Sequence, residues 1–224
     1  MNNQRVFFLV LILLAFGAIS LGFFWQEIST ARSTFLAGTH PVTDSDTSSV
    51  PTLPPLRTSD PVRGNTSDKA VTIVEFADFS CLYCRLTEEE IIKTLNQSPI
   101  PVRLVWRDFP VVTEHPDGLL AAVAGRCATA QGKFWEMHDA LFQLNQFDLT
   151  SLKNIATQLK LNPVTFGACL TSETPIAQIQ NDITLARQHN INGAPTLFVG
   201  KQALSGSIKA EQLTAAIRQA SSSP

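Results

Sequence analysis

The fold of this chain is decided by the stretch Val74-Glu75-Phe76-Ala77-Asp78-Phe79-Ser80-Cys81-Leu82-Tyr83-Cys84. A β-branched apolar run over residues 70–76 predicts a buried strand, and residues 86–95 repeat apolar positions at helical spacing. The two cysteines therefore lie where a strand turns into a helix. We expect Ser80 to be the helix N-cap and Cys81 to occupy the first helical position.

This placement predicts redox chemistry at the two cysteines. Free N–H groups and the positive end of the helix dipole favour a thiolate at Cys81, and the thiolate is the form that attacks a disulfide. Cys84 lies one turn away and is expected to resolve the mixed disulfide. A metal centre is disfavoured because it needs four ligands, and neither His115 nor His138 has a Cys or His partner at ligand spacing.

Two further positions flank the dithiol. Glu75 lies in the preceding strand, where its carboxyl group could pass protons during exchange, but the residues fit equally well a side chain that points to solvent. Gly193-Ala194-Pro195-Thr196 precedes a late strand. Because proline is poorly tolerated within a central strand, Pro195 is expected at a special turn, for which a cis bond is one option. His138 and Trp135 are expected to be core residues.

The rest of the pattern predicts an α/β layer that is split by a helical insertion. The element order is strand, helix, strand, a block of helices, two strands and a helix. Further strands are expected at 102–106, 196–199 and 203–204, the inserted helices within 113–190, and the last helix at 210–217.

The N-terminal region predicts a membrane anchor. Residues 6–25 carry no charge and are long enough, as a helix, to span about 30 Å of hydrocarbon. An uncleaved anchor is favoured, and a cleaved signal peptide stays open. A slight positive-inside bias orients the folded domain outward, where disulfides persist. The predicted organisation is a cytoplasmic N-terminus at 1–5, a transmembrane anchor at 6–25, a flexible linker rich in Pro, Ser and Thr at 26–67, and the domain at 68–222.

Composition limits the classes of partner. The formal net charge is −2, and there is no stripe or tail of basic residues, so a nucleic-acid partner is not expected. The four cysteines fit either disulfides or buried thiols.

With these features in hand, the chain resembles the DsbA-like thiol–disulfide oxidoreductases of the thioredoxin superfamily. The resemblance covers about residues 69–220 and is most specific in Gln131-Gly132-Lys133-Phe134-Trp135, within the helical insertion. The stretches that carry it are residues 74–84, 107–110, 131–139 and 193–199.

The resemblance implies a role for each matching position. Cys81 is implied as the nucleophile and Cys84 as the resolving thiol. Pro195 is implied as a cis-proline that faces the dithiol, and the Ala194 backbone is implied to pair with an extended substrate segment. Glu75 matches a buried acid that tunes the pair.

Cys127 and Cys169 lie on apolar faces of predicted helices in the insertion. From the residues alone they could be two buried free thiols. Some members of the family have a second, non-catalytic disulfide in this region, and the resemblance favours a bridge here. A bridge of that kind would close a loop of about 40 residues and add roughly 3–4 kcal/mol of stability.

Three positions depart from the family pattern and leave the direction of electron flow open. Leu82 stands where proline is frequent, Tyr83 where strongly oxidising members have histidine, and Ala194 where threonine or valine is frequent. These positions tune the reduction potential and the choice of partner.

The function expected from the sequence is an extracytoplasmic thiol–disulfide oxidoreductase anchored in the membrane. We expect an oxidase that acts on unfolded or partly folded exported proteins and is reset by a membrane redox partner. The alternatives are a reductase or isomerase of the same fold, and a non-enzymatic binding or chaperone module. No separate cofactor is expected, since the Cys81–Cys84 pair carries the electrons.

Overall fold

A computed structural model describes residues 53–222 of the chain. The predicted N-terminus 1–5, the predicted anchor 6–25 and the linker up to residue 52 lie outside these residues. Among the helices from 53 to 222, none has the length and apolar character to cross a membrane.

A five-stranded mixed sheet forms the centre of the domain. Its strands are β1 (Val62–Gly64), β2 (Val71–Ala77), β3 (Val102–Asp108), β4 (Thr196–Val199) and β5 (Gln202–Ser205). The spatial order is β1-β3-β2-β4-β5; β2 and β3 run parallel, and the other neighbouring pairs are antiparallel. The parallel central pair explains why the run predicted as a buried strand is almost entirely apolar.

Within residues 53–222, seven helices surround the sheet. The first, α1 (Leu82–Gln97), connects β2 to β3, and the last, α7 (Ala210–Ser222), follows β5. Five helices form the predicted insertion between β3 and β4, so the thioredoxin-like fold with an inserted helical subdomain is confirmed. They are α2 (Gly118–Thr129), α3 (Phe134–Leu141), α4 (Leu149–Gln158), α5 (Pro163–Leu170) and α6 (Glu173–Gln188).

Strand alternation divides the core between the two faces of the sheet. On one face, Ile73 and Leu104 pack with Ile91 of α1 and Leu213 of α7. On the other face, Val74, Phe76 and Val105 pack with Ala186 of α6. A third cluster joins the helical insertion to the end of β3 through Trp106 and to the dithiol turn through Phe79. The dithiol is therefore held where the insertion meets the sheet.

Strand β1 lies inside the segment that was expected to be linker. Val62, Arg63 and Gly64 pair with β3, and Leu53 packs on the apolar cluster beneath β2. Ordered structure therefore begins before residue 68. The pattern did not indicate this because a three-residue edge strand with two exposed positions is too short to show an alternation.

A buried network of ion pairs, here called the paired-charge cluster, consists of Asp60, Arg107, Asp108, Arg126 and Asp182. Arg107 reaches Asp60 at 2.6 Å and Asp182 at 3.2 Å, and Arg126 reaches Asp182 at 2.6 Å and also bonds Asp108. These side chains are at most 5% exposed. The cluster ties the chain before β1 to β3, α2 and α6.

Candidate active site

The two cysteines lie at the start of α1, in the turn that follows β2. Asp78 shapes this turn. Its carbonyl accepts the Cys81 N–H at 3.1 Å, and its carboxylate accepts the N–H groups of Ser80 at 2.8 Å and Val111 at 2.9 Å. Gly118 lies so close that a Cβ there would be 2.7 Å from the Asp78 carboxylate, so any larger residue would displace the carboxylate that shapes the turn.

The prediction that Ser80 caps the helix is wrong. The N-cap of α1 is Cys81, with extended backbone dihedrals and no side-chain capping bond. The Ser80 hydroxyl is buried and makes no hydrogen bond in the described chain. The turn that Asp78 closes delays the helix by one residue, so Cys81 is the cap itself and not the first helical residue.

Cys81 has the properties of an attacking thiol. The pKa of its thiol is lowered from 9.0 to about 6, mainly because the Cys84 thiol donates to its sulfur. The backbone N–H groups of Cys84 and Tyr83 lower the pKa further, against the opposing effect of burial. A large fraction of Cys81 is therefore thiolate at neutral pH.

Cys84 is the opposite case. Its side chain is fully buried, and burial raises the pKa of its thiol well above 9.0, with the hydrogen bond to Cys81 adding to the rise. The Asp78 N–H points at its sulfur at 3.4 Å and works in the other direction. The two sulfurs are unbonded in the structure, which is the reduced dithiol.

Pro195 and Ala194 face the dithiol from the loop before β4. The Ala194–Pro195 peptide bond is cis, and the Ala194 carbonyl lies 3.6 Å from the Cys81 sulfur. The Thr196 hydroxyl donates to the Gly193 carbonyl at 2.9 Å and contacts the Ser205 hydroxyl at 3.0 Å, which fixes the loop against β5. A groove of about 380 Å³ runs along this loop beside Pro195.

The rim of the dithiol is apolar. Leu82 and Tyr83, between the two cysteines, are 61% and 57% exposed, and Leu86 follows on the next turn of α1 at 37%. Large apolar side chains are costly to leave in water, and a patch of them beside a reactive sulfur suits contact with apolar polypeptide.

Glu75 is buried beneath the dithiol and does not point to solvent. Burial raises the pKa of its carboxyl group well above 4.5, and repulsion from Glu88 raises it further. Glu75 in turn helps to raise the pKa of Cys84. Neither the Glu75 nor the Glu88 carboxyl group makes a well-formed hydrogen bond to any residue from 53 to 222, although the two lie close enough to shift each other's pKa.

Glu88 is also close to His138 of α3. The Glu88 Oε1 atom lies 3.9 Å from His138 Nε2, and His138 Nδ1 lies 2.9 Å from the Asp139 carboxylate. Arg63 of β1 bonds Asp139 at 2.7 Å and approaches Glu88 at 3.8 Å. The ligand-type atoms of Glu88, His138 and Asp139 lie within 4.8 Å of one another. The guanidinium already supplies the positive charge there, so the trio forms an ion-pair network and not a cation site.

His138 is fully buried among the rings of Phe79, Trp106 and Phe142, as expected of a core residue. Trp135, also expected in the core, is only partly buried. Its Nε1 donates to the Val62 carbonyl at 2.8 Å, and Arg63 lies over its ring at 4.4 Å. Strand β1, which the pattern did not predict, provides this contact.

The structure bonds Cys127 of α2 to Cys169 of α5, with 42 residues of sequence separation. The bridge ties together two helices of the insertion and involves neither sulfur of the dithiol.

The structure thus brings together five of the residues predicted from the sequence: Cys81, Cys84, Pro195, Ala194 and Glu75. The residues that the sequence predictions missed are Asp78, which shapes the turn, and Glu88. Glu88 has a readable signal, because it follows Cys84 by four residues and so shares its helix face. No local signal connects His138 and Asp139 to the site, since they come from the insertion.

Known proteins that are similar to this chain share its thioredoxin-like fold. A family model described as thioredoxin matches residues 57–219. A thioredoxin-like oxidoreductase from Silicibacter pomeroyi is 29% identical with a TM-score of 0.68, over 75% of this chain and 95% of that one. The thiol–disulfide exchange protein alpha-DsbA2 from Wolbachia pipientis is 22% identical with a TM-score of 0.64, over 72% and 87% of the two chains, and shows likeness of fold.

Curated relatives are much longer than this chain. The Na(+)/H(+) antiporter NhaA 3 from Salinispora tropica is 35% identical over 162 residues, which are 72% of this chain and 24% of the relative. The chain spans about a quarter of the length of the curated relatives that it matches.

Proposed function

We propose that this chain works as an oxidase that donates its disulfide to exported proteins. The premise is that the chain belongs to the DsbA-like branch of the thioredoxin family. The chain is a thiol–disulfide oxidoreductase with Cys81 and Cys84 as its active-site pair. The direction of exchange, the clients and the location are the proposal.

The observation that carries the oxidase role is the lowered pKa of Cys81. The thiolate exists only in the reduced protein, so whatever stabilises it favours the reduced form. A protein with a stabilised reduced form gives up its disulfide readily. The donors that stabilise the Cys81 sulfur are the Cys84 thiol and two backbone N–H groups.

The cycle follows from this geometry. A client thiolate attacks Cys81 in the oxidised protein, a client–Cys81 disulfide forms, and Cys84 leaves as a thiolate that takes up a proton. A second client thiolate then attacks the client sulfur, a client disulfide forms, and Cys81 leaves as a thiolate. Two electrons pass to the dithiol, and a membrane oxidant must remove them before the next round.

Clients are expected to be extended polypeptides. The apolar rim at Leu82 and Tyr83 and the groove beside Pro195 support this, since an extended segment could lie along the loop with its cysteine at Cys81. A folded client would offer too little chain to the groove.

Placement outside the cytoplasm and at a membrane is also proposed. The Cys127–Cys169 bridge supports an oxidising compartment, and the apolar run at 6–25 supports an anchor. The relative named as an antiporter supports a membrane setting, but its antiport activity does not extend to this chain from a match over a quarter of its length. Labelling of Cys81 in intact cells by a membrane-impermeant thiol reagent tests this placement, and protection of Cys81 would contradict it.

The reduction potential tests the direction. Equilibration with glutathione from pH 5 to 8 is expected to give a potential near or above that of the glutathione couple. The potential should fall with pH by about 59 mV per pH unit below pH 6 and by about 30 mV per pH unit above it. Above pH 6, Cys81 stays ionised on reduction, so only Cys84 takes up a proton. A potential well below glutathione would instead assign a reductase. Cys81 that alkylates no faster than an ordinary thiol would favour a binding module.

A further inference from the structure

We propose that the proton path of the buried Cys84 sulfur, whose first acid the family resemblance already implies, reaches solvent through His138 and Asp139 of α3. Its members, in order from the sulfur, are Glu75, Glu88, His138 and Asp139, here called the relay residues. The proposal rests on thiol–disulfide exchange at the dithiol, whichever way the electrons flow.

The need for a path follows from the burial of Cys84. Attack on the Cys81–Cys84 disulfide breaks the S–S bond and leaves a thiolate at Cys84, whose pKa is raised well above 9.0 by burial. That sulfur must gain a proton in one direction of exchange and lose it in the other. Cys84 is fully buried, so solvent does not exchange the proton with it directly.

Glu75 and Glu88 are suited to the first steps. Glu75 affects the pKa of Cys84 through its charge. Burial raises the pKa of both Glu75 and Glu88, and the contact between them raises that of Glu75 further while it opposes the rise at Glu88. Glu75 therefore holds a proton that it can deliver to the Cys84 thiolate, and Glu88 is the neighbour that can replace it. Both Glu75 oxygens and both Glu88 oxygens lack a well-formed hydrogen bond to any described residue.

His138 carries the path across the core. Its Nε2 atom faces Glu88 at 3.9 Å and has no other partner in the described chain, and its Nδ1 atom contacts Asp139 at 2.9 Å. An imidazole takes up a proton at one nitrogen and releases it at the other, so one fully buried ring links the two carboxylates. The Asp139 side chain is 51% exposed and completes the path to water.

The groups that surround the ring favour this role. Within residues 53–222, the titratable groups in contact with His138 are Glu88 from α1 and Asp139 from its own helix, and Arg63 from β1 pairs with both of those carboxylates. The side chains from the dithiol turn and β3 that pack on the ring are Phe79 and Trp106, which are not titratable. Arg63 stabilises the ionised carboxylates at both ends of the ring without blocking Nε2.

The test compares His138→Phe and Asp139→Asn with wild type. The first keeps an aromatic ring in the cluster and removes both nitrogens; the second changes a half-exposed side chain and should leave the fold intact. Stopped-flow tryptophan fluorescence would follow reduction of the oxidised protein by a small thiol from pH 5 to 9. General acid–base catalysis typically contributes 10²–10⁴-fold, so we expect about a 10²-fold slower step in His138→Phe near neutral pH.

Two further readouts separate proton transfer from a structural role. Rates of the variants, but not of wild type, should rise with the concentration of imidazole buffer, and the shape of their pH–rate profiles should differ from that of wild type. Alkylation of reduced Cys81 should keep its midpoint near pH 6, because no relay residue lowers that pKa. Glu136→Gln, on the exposed side of α3, is the matched control and should behave as wild type.

Unchanged profiles in both variants, or a loss of rate that is equal at all pH values and insensitive to buffer, would overturn the path. A potential well below glutathione would overturn the oxidase role and leave the path standing, since the proton must move in either direction.

Discussion

Two buried polar clusters of this domain differ in how their charges are matched. In the paired-charge cluster, each of the three carboxylates accepts from at least one arginine; Asp60 and Asp182 each do so at 2.6 Å, and Asp108 bonds Arg126. Among the relay residues, Glu75 and Glu88 are both buried, and neither is hydrogen-bonded to a cation in the part of the chain that the structure describes. The Glu88 to His138 contact is 3.9 Å.

The difference indicates what each cluster does. Burial of a charge is costly unless it is paired, and the paired-charge cluster meets that condition while fixing the chain before β1 to β3, α2 and α6. Glu75 and Glu88 do not meet it, so their ionised forms destabilise the fold. Strongly raised pKa values beside a reactive dithiol are typical of a functional site.

The largest effect is expected from breaking the paired-charge cluster. Arg126→Met keeps an unbranched stem but removes the guanidinium group, which leaves Asp108 and Asp182 without their shared partner. Loss of one member of a buried ion pair typically costs about 3–5 kcal/mol, and we expect that loss in urea unfolding at pH 7. Alkylation of Cys81 should keep its midpoint near pH 6, since no group of this cluster is among those that set that pKa.

Arg187→Met is the control for this variant. Arg187 lies near the end of α6 and is exposed. Its replacement should change the unfolding free energy by less than about 0.5 kcal/mol. Equal losses in the two variants would show that the buried pairing contributes nothing particular to stability.

A smaller effect of opposite sign is expected from Glu75→Gln. Burial raises the folded pKa of Glu75 well above its unfolded value of about 4.3, so the folded protein holds a proton that the unfolded chain releases. Stability is therefore lost as the pH rises from that value towards the folded pKa, by up to about 1.4 kcal/mol per pH unit. The variant has no such proton, so it should be more stable than wild type at neutral pH.

Urea midpoints between pH 5 and 8 measure this difference in slope. Glu211→Gln, which removes an exposed carboxyl group from α7, is the matched control and should follow wild type. The reading of Glu75 as an uncompensated acid fails if its variant shows the same slope as wild type. It also fails if the variant is less stable at every pH.

The sequence predicted the parts of the site that lie close together in the chain. The strand, the turn and the helix around Cys81 were readable because their apolar positions change period within twenty residues. Pro195 was predictable because proline cannot donate a hydrogen bond within a sheet, so its position before a central strand indicates a special turn. The wrong cap at Ser80 shows the limit: Asp78 and Ser80 are both capping types, and only the folded turn shows which one bonds the backbone.

What the sequence could not predict depends on tertiary contacts. Glu88 was within reach of helical spacing, but His138 and Asp139 arrive from the insertion, fifty residues further along the chain. Strand β1 supplies Arg63 and was hidden in a segment whose composition is typical of a linker. Propensity and periodicity report local structure, and the relay residues are joined only by packing.

The smallest effect is expected where charges pair in water. Lys133 and Glu136 form a contact of 2.7 Å at the start of α3, with both side chains nearly half exposed. Solvent screens such a pair, and exposed pairs typically contribute about 0.2–1 kcal/mol, so Lys133→Met should cost at most that amount in urea unfolding at pH 7. Raising the salt concentration to about 1 M should shrink the difference in unfolding free energy between Lys133→Met and wild type, because the screening length is then only about 3 Å. The loss in Arg126→Met should persist at that salt concentration, because the charges that it leaves unpaired are buried. A salt-insensitive loss of several kcal/mol in Lys133→Met would mean that distance, and not burial, sets the strength of pairing in this domain.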